Sequence, residues 1–142
     1  GGLDMKWDKY LSLVVGALGS IASYLWGGLD LALKTLIILM IIDYLTGVMC
    51  AVENKELSSK VGFRGLTKKV IILAVVAVGV SVDNVTGANG FIRAAVIYFY
   101  ASMEGISILE NAARYGIAIP KKLEDALIQL QEGNDKEIKV KV

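Results

Sequence analysis

The sequence predicts an all-α integral membrane protein with about four transmembrane helices and a short C-terminal amphipathic helix. Three observations carry this expectation. Of the 142 residues, 55% are hydrophobic and 20% charged, with a mean hydropathy of +0.58, whereas soluble domains carry about 25% charged residues. The apolar residues gather into four runs, 11–26, 31–52, 66–82 and 91–109. The basic residues avoid every second connection between those runs, as membrane topology requires.

A spanning helix needs about 20 apolar residues, with a range of roughly 17 to 25. The second and fourth runs meet this length well and the third lies at its lower end. The first is marginal, and two readings stay open for it: a fourth span, or a helix lying in the interface or forming a re-entrant hairpin with the second. After the fourth run, Pro120 suits the first turn of a helix. Leu123, Ala126, Leu127 and Leu130 follow at i, i+3, i+4 and i+7, the spacing of one apolar helix face. Gly133 is expected to end that helix. Residues 1–119 are therefore read as the membrane domain, and 120–142 as a cytoplasmic amphipathic helix with a charged tail.

All basic residues except Lys34 and Arg93 fall in three zones. Lys6 and Lys9 precede the first run. Lys55, Lys60, Arg64, Lys68 and Lys69 form a basic loop between the second and third. Arg114, Lys121, Lys122, Lys136, Lys139 and Lys141 follow the fourth. With four spans all three zones lie on one side, so both termini are expected in the cytoplasm and the connections 27–30 and 83–90 outside.

The fourth run carries a polar stripe. Arg93, Tyr100, Glu104, Ser107, Asn111 and Arg114 are spaced 7, 4, 3, 4 and 3 apart, which places them within about 80° of one another on a helix. The second run is polar on one side of its inner half, with Asp43, Thr46, Gly47, Cys50 and Asn54 on one face. An ionisable side chain in a membrane faces protein or water, because exposure to hydrocarbon costs several kcal/mol. These stripes have two readings: a buried polar cluster that fixes helix packing, or a face that lines a pore or cavity. A proton relay is a distant third. Lys69, Arg93 and a tyrosine hydroxyl are the candidate partners of Asp43, and Asp83 and Arg93 are placed to pair beside the second outer loop.

The first run also has a face of small residues, Ser12, Gly16, Gly19, Ser23 and Gly27, and the fourth a shorter one, Ala101 and Gly105. Small-xxx-small spacing lets helices approach closely in lipid. It serves either packing within the chain or self-assembly between copies. Enzymatic chemistry is not expected. There is no His, the single cysteine is Cys50, and no nucleophile, phosphate-loop or metal-ligand motif is present. No cofactor, metal or nucleic-acid partner is expected, and the lipid bilayer is the evident one.

Three stretches together resemble a known family. They are IDYLTG (Ile42, Asp43, Tyr44, Thr46, Gly47), LSSKVGFRGLTKK (Leu57, Ser58, Ser59, Lys60, Gly62, Phe63, Gly65, Lys68, Lys69) and EGISILENAA (Glu104, Gly105, Ser107, Ile108, Leu109, Glu110, Asn111, Ala112, Ala113). In this order and spacing they resemble the phage holins of the toxin-secretion/phage-lysis type, whose relatives include the holin-like protein beside clostridial toxin genes. The likeness covers about 80 residues, from the second run to the start of the tail helix. Where that family often reads GxPIP, this chain has Gly116, Ile117, Ala118, Ile119 and Pro120. The first run matches no family pattern.

The resemblance implies a protein that accumulates in the bacterial cytoplasmic membrane, assembles with copies of itself and opens lesions at a set time. The lesion releases an endolysin, or a toxin, as cargo without binding it specifically, or collapses the proton-motive force. Two other classes fit an all-helical membrane protein of this size. One is a small-solute transporter or channel subunit. The other is a scaffold that recruits a partner through its tail.

Overall fold

The computed structural model describes residues 2–135. These form α1 (Gly2–Trp26), α2 (Leu31–Glu53), α3 (Ser59–Thr86), α4 (Phe91–Arg114) and α5 (Lys121–Asp135). Each boundary has a local cause. The Asp30 carboxylate accepts from the Leu33 N–H at 3.0 Å and opens α2. The Ser58 hydroxyl accepts from the Val61 N–H at 3.2 Å and opens α3. Both satisfy donors that a first turn leaves unpaired. Gly87, with φ +67, ends α3 in the left-handed conformation. Gly90 precedes α4 and has no side chain to cap it. Buried Asp83 of α3 does so instead, accepting from the N–H groups of Gly90 at 2.7 Å and Arg93 at 3.0 Å.

Helices α2, α3 and α4 are each long and apolar enough to cross a membrane. They meet around Leu33, Leu36 and Met40 of α2, Ile72 and Val76 of α3, and Ile97 and Ala101 of α4. The outer surface of this bundle is also apolar: Ile38, Ile41, Leu45, Met49, Val70, Ile71 and Val78 are all exposed. Such a surface matches hydrocarbon and would be a liability in water. Hydroxyls along the helices are satisfied internally. Thr35, Thr46, Ser81 and Thr86 each donate to the carbonyl four residues earlier at 2.8–2.9 Å.

Helix α1 is different. It has no buried residue and meets the bundle only through its last turns. There Trp26 packs against the core, and its indole N–H donates to the Leu73 carbonyl of α3 at 2.9 Å. The helices thus number one for each apolar run plus the tail helix, but the candidate spans among the described residues are three. The glycines and serines of α1, and the charges in its first turns, lower its apolarity.

The boundaries also differ from expectation. Helix α3 begins at Ser59, well before its apolar run, and α4 continues to Arg114. Gly133 does not end α5, which reaches Asp135. A helical glycine costs about 1 kcal/mol relative to alanine, too little to stop a helix alone. Residues 136–142 of the expected charged tail lie outside the described residues. Helix α5 turns back along α4 and seats Leu127 over Gly105. A Cβ on Gly105 would lie 2.9 Å from Leu127 Cδ2, so any larger residue there requires the Leu127 side chain to shift.

Candidate functional site

Two ionic layers hold the bundle. The inner one lies where α2, α3 and α4 converge. The Lys69 ammonium of α3 donates to the carboxylates of Asp43 on α2 and Glu104 on α4. Asn111 of α4 extends the cluster. Its side-chain N–H donates to Asp43 Oδ1 at 3.4 Å and to Thr46 Oγ1 at 3.0 Å. Cys50 donates its S–H to the Asn111 carbonyl at 3.6 Å. The polar faces of α2 and α4 therefore meet each other within one protomer, with Lys69 inserted between them. Glu104 retains 3% side-chain exposure and Asp43 15%. A crevice of about 220 Å³ reaches Asp43 and Lys69, lined also by Tyr44, Gly62, Ser107 and Asn111. Tyr44 lies over Gly62 and Gly65, where side chains on α3 would meet its ring.

The outer layer is a clasp built on Arg93. Its guanidinium donates to the Trp26 carbonyl at 2.6 Å, to the Gly28 carbonyl at 3.1 Å, and to both Asp30 oxygens at 2.7 and 3.0 Å. A cation at the end of α1 suits the negative pole of its helix dipole. Arg93 in turn holds the Asp30 carboxyl at about 2, well below its usual range, aided by the Leu33 N–H.

Between the two layers, the buried side chains of residues 31–42, 70–82 and 94–103 form a mostly apolar interior, about 15–20 Å long at 1.5 Å per residue. A hydrocarbon core is about 30 Å thick. The lipid-facing side of α2 stays apolar beyond the cluster, through Leu45, Met49 and Val52. On α2 the apolar exterior thus extends further than the apolar interior, and the crevice lies beside that extension.

The expected site residues sort as follows. Asp43, Thr46, Glu104 and Asn111 come together, with Ser107 lining the crevice beside them. Of the candidate partners of Asp43, it is Lys69 that pairs with it. Lys69 also leaves the basic-loop set, since it turns inward and is buried. Tyr100 packs against the core, edge-on to Phe99 at 5.2 Å. Arg93 sits at the opposite end of the stripe, and Arg114 is exposed. The expected Asp83–Arg93 side-chain pair does not form, because Asp83 caps the α4 backbone and Arg93 reaches Asp30 instead. Ser12, Gly16, Gly19 and Ser23 are exposed along α1. Gly27, with φ +75, lies beneath the Arg93 side chain. Ala101 is in the core and Gly105 lies under Leu127. Lys55, Lys60, Arg64 and Lys68 are exposed.

Asp30, Trp26 and Tyr44 were not anticipated. Asp30 had a legible signal, an N-cap residue directly before an apolar run. The two glycines at 62 and 65 marked a close approach without naming Tyr44 as the neighbour.

Residues 20–132 match the bacteriophage holin family. The chain belongs to that family. Holins of this family are membrane proteins, not a class of enzymes. A probable holin of Bacillus phage phi105 is 36% identical over 129 residues, 91% of this chain and 91% of its own length. An uncharacterized 14.9 kDa protein of Clostridium perfringens is 44% identical over 124 residues, covering 86% of this chain and 93% of the relative. An uncharacterized protein of Listeria monocytogenes is 40% identical over 121 residues, 84% and 86% of the two chains. No solved structure matches this holin.

Proposed function

We propose that this holin assembles with copies of itself in the bacterial cytoplasmic membrane and opens lesions that release an endolysin or toxin held behind that membrane. The observation that carries the reading is the inner cluster. Three helices with lipid-matched exteriors commit two carboxylates, an ammonium and an amide to their shared interior. Ions enclosed this way carry a desolvation cost of several kcal/mol each. Rotation of α2 and α4 toward a shared aqueous lumen relieves that cost and opens the bundle.

Assembly supplies the drive. The small-residue face of α1 is uncovered by its own protomer and suits close packing against a neighbour in lipid. We take α1 as a fourth crossing, which puts Lys6 and Lys9 on the same side as the basic α2–α3 connection and the tail. Both termini are then cytoplasmic. Asp43, Thr46, Arg93, Tyr100, Glu104, Ser107, Asn111 and Arg114 contribute to the face that becomes wet. The cargo passes without a dedicated binding site.

The test is inducible expression in a bacterium, following viability, membrane potential and release of a co-expressed cytoplasmic enzyme of endolysin size. Abrupt death with enzyme release is the expected result. Loss of potential without release would reduce the lesion to a small depolarising hole. Continued growth at high membrane abundance would overturn the reading and favour a solute transporter.

A further inference from the structure

Lys60, Arg64 and Lys68 recur every fourth residue, so they form one ridge about 12 Å long on the first three turns of α3. All three are exposed, and among the described residues no ion pair involves any of them. The ridge opposes local physics twice. Lys60, in the first turn, sits at the positive pole of the helix dipole, and like charges at i,i+4 repel. The first turn of α3 has no acidic residue to offset this. Lys69, one residue on, points into the bundle at Asp43 and Glu104, so Lys60 and Arg64 face away from the core, while Lys68 stands at the rim of the crevice that reaches Asp43.

The surroundings specify what the ridge meets. Phe63 is 73% exposed between Lys60 and Arg64, and Val70 and Ile71 continue the same outward face at 65% and 57%. Cations therefore lie directly below a lipid-facing apolar surface, where long basic side chains reach phosphates while their stems cover acyl chains. At the same level, α2 presents Leu45, Met49 and Val52 outward and no cation. The α3 face thus carries a line of cations that the neighbouring α2 face lacks.

We infer that the outward face of α3 at Lys60, Arg64 and Lys68 is a binding site for the phosphate headgroups of anionic phospholipids in the inner leaflet. Three cations in line match two or three adjacent phosphodiesters, and the exposed Phe63 and Val70 match their tails. The headgroup charge relieves the repulsion along the ridge and its conflict with the helix dipole. The ridge thereby orients the α3 side of each protomer toward anionic lipid.

The full chain is reconstituted in phosphatidylcholine bilayers at low ionic strength. The protein-restricted fraction of spin-labelled phosphatidylglycerol is compared with that of spin-labelled phosphatidylcholine. The expected result is a preference of about fivefold or more for phosphatidylglycerol, weakening as salt shortens the Debye length. In K60Q/R64Q/K68Q the preference falls below about twofold, whereas K6Q/K9Q/K122Q, which removes the same charge elsewhere, retains it. Inorganic phosphate at matched ionic strength leaves the preference intact. Equal association of the two lipids with the unaltered chain, an unchanged preference in the ridge variant, equal loss in the control, or displacement by free phosphate would each overturn the inference. The readout is lipid selectivity, not lysis, so it stands or fails separately from the holin reading.

Discussion

The inner cluster and the outer clasp both place a cation between acceptors on several helices, yet they do different things. At the inner cluster one ammonium faces two carboxylates with little solvent access, and every partner belongs to a candidate span. At the outer clasp Arg93 faces one carboxylate, half-exposed Asp30, and two backbone carbonyls at the end of α1. The inner cluster therefore bears on the integrity of the bundle, and the clasp on the attachment of one helix to it. Buried charge is costly to expose and costlier to leave unpaired, whereas charge at a water-accessible edge contributes little. The burial of an ion pair, and which helices it joins, decide which role it takes.

The strongest way to break the contrast is Lys69→Met. It leaves two carboxylates facing each other without a counter-ion, and should cost about 3–5 kcal/mol, seen as loss of the folded chain in detergent melts. The triple variant D43L/K69M/E104L removes every charge of the cluster and should restore stability to near the unaltered value. It should also fail to lyse cells, since no buried ions remain whose desolvation cost is relieved by turning toward water. A triple variant that lyses on time would remove the cluster from the opening step.

Single removal of a carboxylate sharpens the same point. Glu104→Leu leaves a neutral Asp43–Lys69 pair, and Asp43→Leu leaves Glu104 with Lys69. Each should insert normally and delay or abolish lysis, with a stability change of about 1–2 kcal/mol. Normal timing in both variants, with membrane abundance matched by immunoblot, would count against a lining role for either residue.

How far the sequence anticipated these two regions follows from what periodicity can and cannot report. The stripe from Arg93 to Arg114 is visible because one helix fixes the angular positions of its own residues. Its partners are not, because pairing depends on the axial register of three helices. Lys69 looks like the last member of a basic loop, yet α3 starts at Ser59 and places Lys69 almost three turns into the helix, facing inward. Hydropathy sees the onset of apolar residues, not the N-cap that starts the helix. Arg93 and Asp83 were close in sequence and attracted a pairing that the geometry gives to Asp30, far earlier in the chain. Gly105 was legible as a small residue suited to close packing, but not that Leu127 of the same chain covers it.

That last contact gives a middle-sized effect. Gly105→Leu overlaps Leu127 and should displace α5 from α4 at a cost of about 1–3 kcal/mol. Limited trypsinolysis at Lys121 and Lys122 should quicken, while the inner cluster, which involves no residue of α5, keeps the bundle intact. Unchanged cleavage rates would mean that α5 does not depend on the notch.

The smallest effect belongs to the clasp and depends on pH. Arg93 holds Asp30 at about 2 in the folded chain, against an ordinary value of 3.8. A carboxyl with a lowered folded value stabilises the state in which it is ionised. Its contribution is complete above about pH 4 and fades as the pH falls toward about 2. Asp30 is 52% exposed, so the whole effect stays within about 1 kcal/mol. Trp26 reports it, because its carbonyl is held by Arg93 and its indole by Leu73. With Trp7→Phe removing the only other tryptophan, Trp26 emission should be constant from pH 7 to pH 4 and shift to the red below that. Adding Asp30→Asn should weaken the clasp modestly at every pH and abolish the shift between pH 4 and 2. A shift that persists in Asp30→Asn would assign the acid response to another carboxylate and leave Arg93 anchored by the backbone carbonyls of Trp26 and Gly28 alone.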